Sequence, residues 1–242
     1  MEKATQVLPV APQVPITIYV YPDLKSLQEG LSASSQAWIS GHASPELGVV
    51  LVSSSAGSDS TLDLERQIPH ELMHILQYQV TGSEYRKAPA WLLEGLATYA
   101  ETYPNPEWDR LLTDAANNGN LLPFNMICQS FPVQAEQASI AYAQSLSMIK
   151  YLQQNYGSMI FEKLLTLSKT GLSCDQLVLK TTNLNLKKLT SNWLAATFPS
   201  QQNIRTFPGK SILYTFGAVV LSLGLFLLIR EIIRKRHNEY TE

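Results

Sequence analysis

The chain has little of several residue types that mark particular classes of protein. Its net charge is −2 and only 16% of its residues are charged, with no basic patch among the aromatic residues of the globular part, so nothing indicates nucleic-acid binding. It has two cysteines, Cys128 and Cys174, and no Cys-x-x-Cys motif, so no thiol redox site is indicated. It has only four histidines in 242 residues, which makes a pattern among them informative.

An export signal is also missing at the start, because residues 1–12 show no charged segment followed by an apolar run. Residues 211–229, in contrast, are nineteen residues without a charge. At about 1.5 Å per residue they would form a helix of about 28 Å, close to the roughly 30 Å hydrocarbon core of a bilayer. The run predicts a C-terminal transmembrane helix, with a buried core helix as the alternative.

The charges beside this run predict its orientation. One basic residue precedes it and four follow it: Lys210, then Arg230, Arg234, Lys235 and Arg236. The more positive side belongs in the cytoplasm, so residues 1–209 should be extracytoplasmic and residues 230–242 a cytoplasmic tail. An exported domain needs a signal, so we expect the natural N-terminus to lie upstream of this sequence. A tail-anchored cytosolic protein is the alternative.

Two histidines lie one helical turn apart in His70-Glu71-Leu72-Met73-His74, and Glu94 follows twenty residues after His74. Positions i and i+4 of a helix share one face, so both imidazoles can reach one metal ion. Two imidazoles and one carboxylate leave a fourth position open, as in catalytic zinc sites. Glu71 can reach a metal-bound water without being a ligand. The pattern predicts one Zn²⁺ per chain, although cobalt or manganese could occupy the same ligands.

The flanking residues predict two helices that share this metal. Pro69 should kink the first helix or restart it just before His70. The second helix covers residues 89–101, where Gly95 either lets it approach the zinc helix closely or is simply a weak point. Glu101, seven residues after Glu94, either orients a ligand imidazole or is solvated.

At this point a family resemblance can be stated. His-Glu-x-x-His, followed after sixteen residues by Trp-Leu-x-Glu-Gly-x-Ala-x-Tyr-x-Glu, resembles the gluzincin clan of zinc peptidases, and is similar to its aminopeptidase-type pattern and to bacterial peptidase MA-like domains. The detailed match covers about residues 60–101, and a looser one runs from Gly41-His42-Ala43 to about residue 198. The resemblance implies a peptide or protein substrate, zinc on His70, His74 and Glu94, and Glu71 as general base.

The resemblance also implies further parts of the site. The oxyanion needs a donor opposite the zinc, which clan members often take from a later helix. Tyr142 is our candidate, with a core tyrosine as the alternative, and His42, in a loop, either lines the cleft or has no role. Residues 48–53 would be the edge strand along the substrate cleft.

The chain departs from the family pattern at two places. The strand at 48–53 has no glutamate to grip a free amine, which argues against a dedicated aminopeptidase and favours cleavage inside chains. Thr98 stands where thermolysin-like members carry an aspartate, four residues after the third ligand.

The fold class predicted from these patterns is α+β. A small sheet and the zinc helix are followed by a helical subdomain and the transmembrane helix. The predicted strands are 16–21 and 48–53, and the predicted helices besides the two above are 24–31, 108–116, 135–156, 159–168, 174–179 and 186–198.

The predicted domain organisation has five parts. They are an N-terminal α/β half (1–82), a helical half carrying the third ligand (83–198), a linker (199–210), the transmembrane helix (211–229) and the basic tail (230–242). In an oxidising compartment Cys128 and Cys174 would bridge the helical half, with two separate buried thiols as the alternative.

Three classes of function remain open. The leading one is a membrane-anchored zinc peptidase that faces outward from the cell membrane. A second is a catalytically inactive, zinc-bound module that binds peptides or senses proteins at the cell envelope. A third, a purely structural membrane-tethered domain, would leave the His-Glu-x-x-His and Glu94 spacing to coincidence. The sequence indicates no oligomeric state.

Overall fold

The structure is a computed structural model that describes residues 2–31, 40–54, 60–103 and 105–199. Its sheet has three strands: β1 (Thr17–Tyr21), β2 (Gly41–Ser44) and β3 (Val49–Ser53). Their order is β1-β3-β2, with β1 parallel and β2 antiparallel to β3. The Val-Val-Leu-Val run of β3 suits a central strand, and Val50 and Val52 are fully buried. The two predicted strands are confirmed to within one residue.

Strand β2 corrects two of the predictions. His42 lies in this strand and not in a loop, and β2, not residues 48–53, is the edge strand that lines the cleft. The physical reason is that Gly-His-Ala-Ser has no long apolar side chain and so gives no strand signal. The apolar run of β3 is instead typical of a strand with neighbours on both sides.

The helix that carries the two histidines, α3 (Ser60–Thr81), packs on the sheet. Its Leu72 and Ile75 form one buried cluster with Val50 and Val52 of β3. The helix is continuous through Pro69, so it does not restart there. Proline removes one backbone hydrogen bond from a helix, and the buried packing that follows at residues 71–77 compensates for that loss.

Most of the remaining described chain is helical. The predicted α+β class is therefore confirmed, with many more residues in helices than in the small sheet. After a 3₁₀ helix, Gly82–Lys87, come the helices α4 (Ala90–Ala100), α5 (Glu107–Asn117), α6 (Ala135–Tyr156), α7 (Met159–Ser168), α8 (Cys174–Thr182) and α9 (Leu186–Thr197). The bounds predicted for α6 and α7 are confirmed, and α8 is three residues longer than predicted. Helix α2 (Leu24–Gly30) is confirmed as well, whereas α1 (Glu2–Val7) was not predicted.

Gly95 lies where α4 crosses α6. A Cβ atom at this position would come within 2.8 Å of Ile149 Cγ1 and 2.9 Å of the Ser145 carbonyl oxygen. The missing side chain therefore lets α4 approach α6, and the prediction that it serves the approach to the zinc helix is wrong. Successive helical residues point about 100° apart, so Gly95 points in a different direction from Glu94, towards α6.

Cys128 and Cys174 form a disulfide, which joins the segment before α6 to the first residue of α8. The same segment holds the start of α4. The backbone N–H groups of Ala90 and Trp91 donate to the carbonyl oxygens of Cys128 and Ile127, at 2.9 and 3.0 Å. These donors have no partner inside the helix, so the bridged segment supplies it.

Residues 1–196 form one compact unit. The predicted linker apart from Pro199, the predicted transmembrane helix at 211–229 and the predicted tail lie outside the described residues. None of the helices in the described ranges combines the length and the apolar character needed to cross a membrane.

Candidate metal centre

The structure brings the three predicted ligands together. His70 and His74 project from α3 and Glu94 from α4, and one ligand atom of each lies within 4.8 Å of the others. The Nε2 atoms of His70 and His74 are 3.4 and 3.7 Å from Glu94 Oε2. Two imidazole nitrogens and a carboxylate oxygen that converge in this way can hold one metal ion.

His70 is oriented by a carboxylate. Its Nδ1 atom is 3.0 Å from Glu101 Oε1, so Glu101, the residue that follows α4, is not simply solvated. Thr98, at the position of the family's aspartate, instead donates its hydroxyl to the Glu94 carbonyl oxygen at 2.8 Å. The chain thus places the carboxylate for His70 three residues later than thermolysin-like members do.

His74 is oriented by two neutral groups that the sequence analysis missed. Its Nδ1 atom is 3.1 Å from Gln77 Oε1 and 2.9 Å from the Tyr85 hydroxyl. The Gln77 amide also donates to the carbonyl oxygen of Leu93, the residue before Glu94, at 2.8 Å. Gln77 lies three residues after His74, so helical spacing could have revealed it. Tyr85 comes from the 3₁₀ helix, and no local pattern points to it.

These contacts fit a metal-binding tautomer of both histidines. When Nδ1 carries the proton and donates it to an acceptor, the lone pair of Nε2 is free for a metal ion. In both rings Nδ1 has an acceptor, and Nε2 is the atom nearer Glu94. The donor set and its orientation therefore fit zinc.

The predicted general base, Glu71, is buried beside the ligands, with 7% of its surface exposed. Burial raises the pKa of Glu71 to about 7, and the nearby Glu94 carboxylate adds to this effect while His70 opposes it. Gly41 of β2 lies directly against its carboxylate. A Cβ atom on Gly41 would come 2.5 Å from Glu71 Oε1, so a larger residue would displace that oxygen.

The two ligand imidazoles have opposite electrostatic environments. Burial lowers the pKa of His74. Burial acts in the same direction on His70, but its hydrogen bonds to Glu101 and Glu94 outweigh it and hold the pKa of His70 well above its ordinary value. The carboxylates are thus concentrated around His70, and the neutral partners around His74.

Tyr142 of α6 lies at the same site. Its hydroxyl is hydrogen-bonded to the Glu94 carboxylate, and its ring centroid is 6.2 Å from that of His70. The ring stacks on Trp108 and meets Phe131 edge-on. Burial raises the pKa of Tyr142 well above its ordinary value, so the hydroxyl keeps its proton and can donate a hydrogen bond.

A cleft of about 500 Å³ opens over these residues. Strand β2 forms one wall, with His42 in it, and the other wall includes Tyr85 and Arg86 from the 3₁₀ helix and Leu93 from α4. Glu71, the three ligands and Tyr142 also line it. The cleft therefore offers a sheet edge, a metal centre, a buried carboxyl group and a hydroxyl donor to one bound molecule.

Residues 1–198 match a family model described as Peptidase MA superfamily. The comparison with curated proteins and the comparison with solved structures yield no match.

Proposed function

The chain belongs to the peptidase MA superfamily, and we propose that it is a membrane-anchored zinc peptidase that cleaves peptide bonds inside peptides or proteins. Membership confirms the resemblance drawn from His-Glu-x-x-His and Trp-Leu-x-Glu-Gly. The observation that carries the proposal is the convergence of His70, His74 and Glu94 around one point, with Glu71 buried beside them.

The chain's own residues account for the proton transfers. A zinc ion on the three ligands would lower the pKa of a bound water and polarise the substrate carbonyl. Glu71 takes the proton of the attacking water and returns it to the departing amine. The Tyr142 hydroxyl donates a hydrogen bond to the oxyanion, in exchange for its present bond to Glu94. Glu101, Gln77 and Tyr85 keep the imidazoles in place.

Cleavage inside chains is supported by the composition of the cleft wall. Strand β2 carries no carboxylate that could grip a free amino terminus. Glu46, in the turn that follows β2, does line the cleft. N-terminally acetylated peptides separate the two modes, because we expect them to be cleaved as fast as free ones. If acetylation abolished cleavage, the enzyme would be an aminopeptidase that uses Glu46.

Two features support a location at the outer face of the cell membrane. The apolar run at 211–229, with its basic C-terminal flank, fits an anchor whose tail lies in the cytoplasm. The Cys128–Cys174 disulfide fits an oxidising compartment for the catalytic part.

The test is hydrolysis of a quenched-fluorescent peptide library by the zinc-loaded full chain and by its Glu71→Gln variant. We expect chelator-sensitive cleavage that falls by at least about a hundredfold in the variant, because the general base is lost. The variant should keep its zinc, which separates loss of the base from loss of the metal. Zinc-loaded wild type that cleaves no peptide would contradict the proposal and favour the peptide-binding module.

A further inference from the structure

A groove of about 440 Å³ lies beside the cleft and is called the side groove here. Nine residues between Asn125 and Gln137 line it, in the segment before α6 and in the first turn of that helix. Gln129 lines both the side groove and the cleft. The ring of Phe131, in the wall of the side groove, has its centroid 4.9 Å from that of Tyr142 in the cleft. The side groove therefore adjoins the cleft.

The segment that forms the side groove is fixed by its surroundings. The carbonyl oxygens of Ile127 and Cys128 accept hydrogen bonds from the start of α4, and Cys128 is bonded to Cys174 of α8. Further upstream, the buried Gln144 of α6 pairs with both backbone groups of Leu122, at 3.0 and 2.6 Å. A groove whose backbone is held in place before binding loses little conformational entropy when a ligand binds.

The side groove carries no charge. None of its nine lining residues is charged, and residues 115–135 contain no charged residue. The cleft, in contrast, is lined by Glu46 and Arg86 in addition to the residues around the metal site. Exposed surface is usually rich in charged residues, so a long exposed segment without them is unusual. A charged partner, or the anionic surface of a membrane, would find no opposite charge in the side groove.

Four exposed carboxamide side chains line the side groove: Asn125, Gln129, Gln134 and Gln137. Within the described ranges, no hydrogen bond occupies these side chains. Each carboxamide both accepts and donates, and the main chain of an extended peptide presents one N–H and one C=O group per residue. A purely apolar partner would leave the carboxamides buried and unpaired. The flexible side chain of Met126, 55% exposed, adds apolar contact that adapts to different neighbours.

We propose that the side groove is an extended subsite that holds the main chain of the substrate beyond the cleft, so that the enzyme prefers long unfolded polypeptides to short peptides. The inference rests on the proposed function, because the chain in the side groove is the continuation of the chain whose scissile bond lies in the cleft. The four carboxamides hydrogen-bond to that main chain, and the identity of its side chains matters little there.

The first test compares three quenched-fluorescent peptides with the zinc-loaded full chain. The best-cleaved six-residue sequence of the library is the core, and Ala-Ser-Ala-Ser is added on its N-terminal or on its C-terminal side. We expect one of the two extensions to raise kcat/KM at the same bond by at least about tenfold, because the added main chain reaches the side groove and hydrogen-bonds there. No gain from either extension, or equal gains from both, would overturn the inference.

A modified extension tests whether the main chain is what the side groove recognises. Four sarcosine residues replace Ala-Ser-Ala-Ser on the favourable side, which keeps the length but removes the N–H donors of the main chain. We expect the gain in kcat/KM to fall below about threefold. A full gain with the sarcosine extension would contradict recognition through main-chain hydrogen bonds.

A double variant tests the carboxamides. Gln134→Met/Gln137→Met keeps the side-chain length at two exposed positions but removes the hydrogen-bonding groups. The gain from the favourable extension should fall below about threefold, a change that a merely structural role would not produce. Gln154→Met, on an exposed part of α6 that lines neither the cleft nor the side groove, is the matched control and should keep the wild-type gain. An undiminished gain in the double variant would contradict the assignment.

A binding measurement keeps the test independent of turnover. Random twelve-residue peptides are titrated calorimetrically into zinc-loaded Glu71→Gln protein, with and without the two groove substitutions. We expect those substitutions to weaken binding by at least about tenfold. Equal affinity, or no binding by either protein, would overturn the inference, and so would tighter groove-dependent binding of the neutral oligosaccharide chitohexaose. Groove-dependent peptide binding, together with a wild type that cleaves no peptide, would instead support the side groove and overturn the peptidase.

Discussion

The half of the molecule that contains the sheet, residues 2–81, and the helical half, residues 90–197, contribute to the candidate metal centre in different ways. The sheet half supplies His70, Glu71 and His74 from consecutive turns of one helix. The helical half supplies Glu94 and Tyr142 from two helices that packing brings together. The first contribution depends on local helix geometry, and the second on how α4 and α6 meet.

Strand β1 of the sheet half is less buried than helices α6 and α7 of the helical half. Ile18, Tyr19 and Val20 of strand β1 are 38–54% exposed. In the helical half, Ile149 of α6 and Phe161 of α7 are fully buried. The Cys128–Cys174 disulfide also joins two segments of this half. We therefore expect α6 and α7 to contribute more to stability than β1 does.

The largest effect should come from loss of the disulfide. In a Cys128→Ser/Cys174→Ser double variant, the free energy of unfolding should fall by about 3–4 kcal/mol, because the bridge closes a long loop in the unfolded chain. The cysteines are 46 residues apart. Denaturant unfolding of the full chain measures the change, and the wild type in reductant serves as the control. A fall below about 1 kcal/mol would mean that the helical half is held by packing alone.

Gly95→Ala should have the next largest effect. The added methyl group meets Ser145 and Ile149 of α6, and overpacking of this kind costs about 1–3 kcal/mol in the free energy of unfolding. Part of the cost is offset by the higher helix propensity of alanine. Thermal unfolding measures the change, and Gln154→Ala on exposed α6 should shift stability by less than about 0.5 kcal/mol. Unchanged stability in Gly95→Ala would contradict a close approach of α4 to α6 at this position.

The smallest effects are expected from two isoleucine-to-valine substitutions, one in each half. Each removes one methyl group, so the two losses of stability can be compared directly. Ile149→Val, at a fully buried site, should lower the free energy of unfolding by about 0.5–1.5 kcal/mol. Ile18→Val, in exposed β1, should change it by less than about 0.5 kcal/mol. Denaturant unfolding of the wild type and both variants measures the two changes in the free energy of unfolding. Equal losses would show that β1 and α6 are packed equally well.

The same difference between local geometry and tertiary packing explains which features can be predicted from the sequence. The helices α6 and α7 and the strand β3 have strong apolar patterns, and their bounds follow from those patterns. The ligand pair follows from helical spacing. Strand β2 does not, because four small or polar residues at a sheet edge carry no apolar signal.

The groups around the ligands depend on tertiary packing. Tyr85 reaches His74 from a separate 3₁₀ helix, and Gly41 meets Glu71 from the sheet. Gly95 lies against α6 and not against α3, and this depends on which helix packs on that side of α4. Glu101 was a candidate from sequence only because it lies seven residues after Glu94, on the same helical face.

The central claim is that both halves hold one zinc ion between them. The most direct measurement is the zinc content of the purified full chain, compared with Glu94→Ala and with the control Glu107→Ala, which removes an exposed carboxylate of α5. We expect about one zinc per chain in the wild type and in the control, and loss of the zinc in Glu94→Ala. Wild-type zinc content in Glu94→Ala, or a folded wild type without zinc affinity, would contradict it.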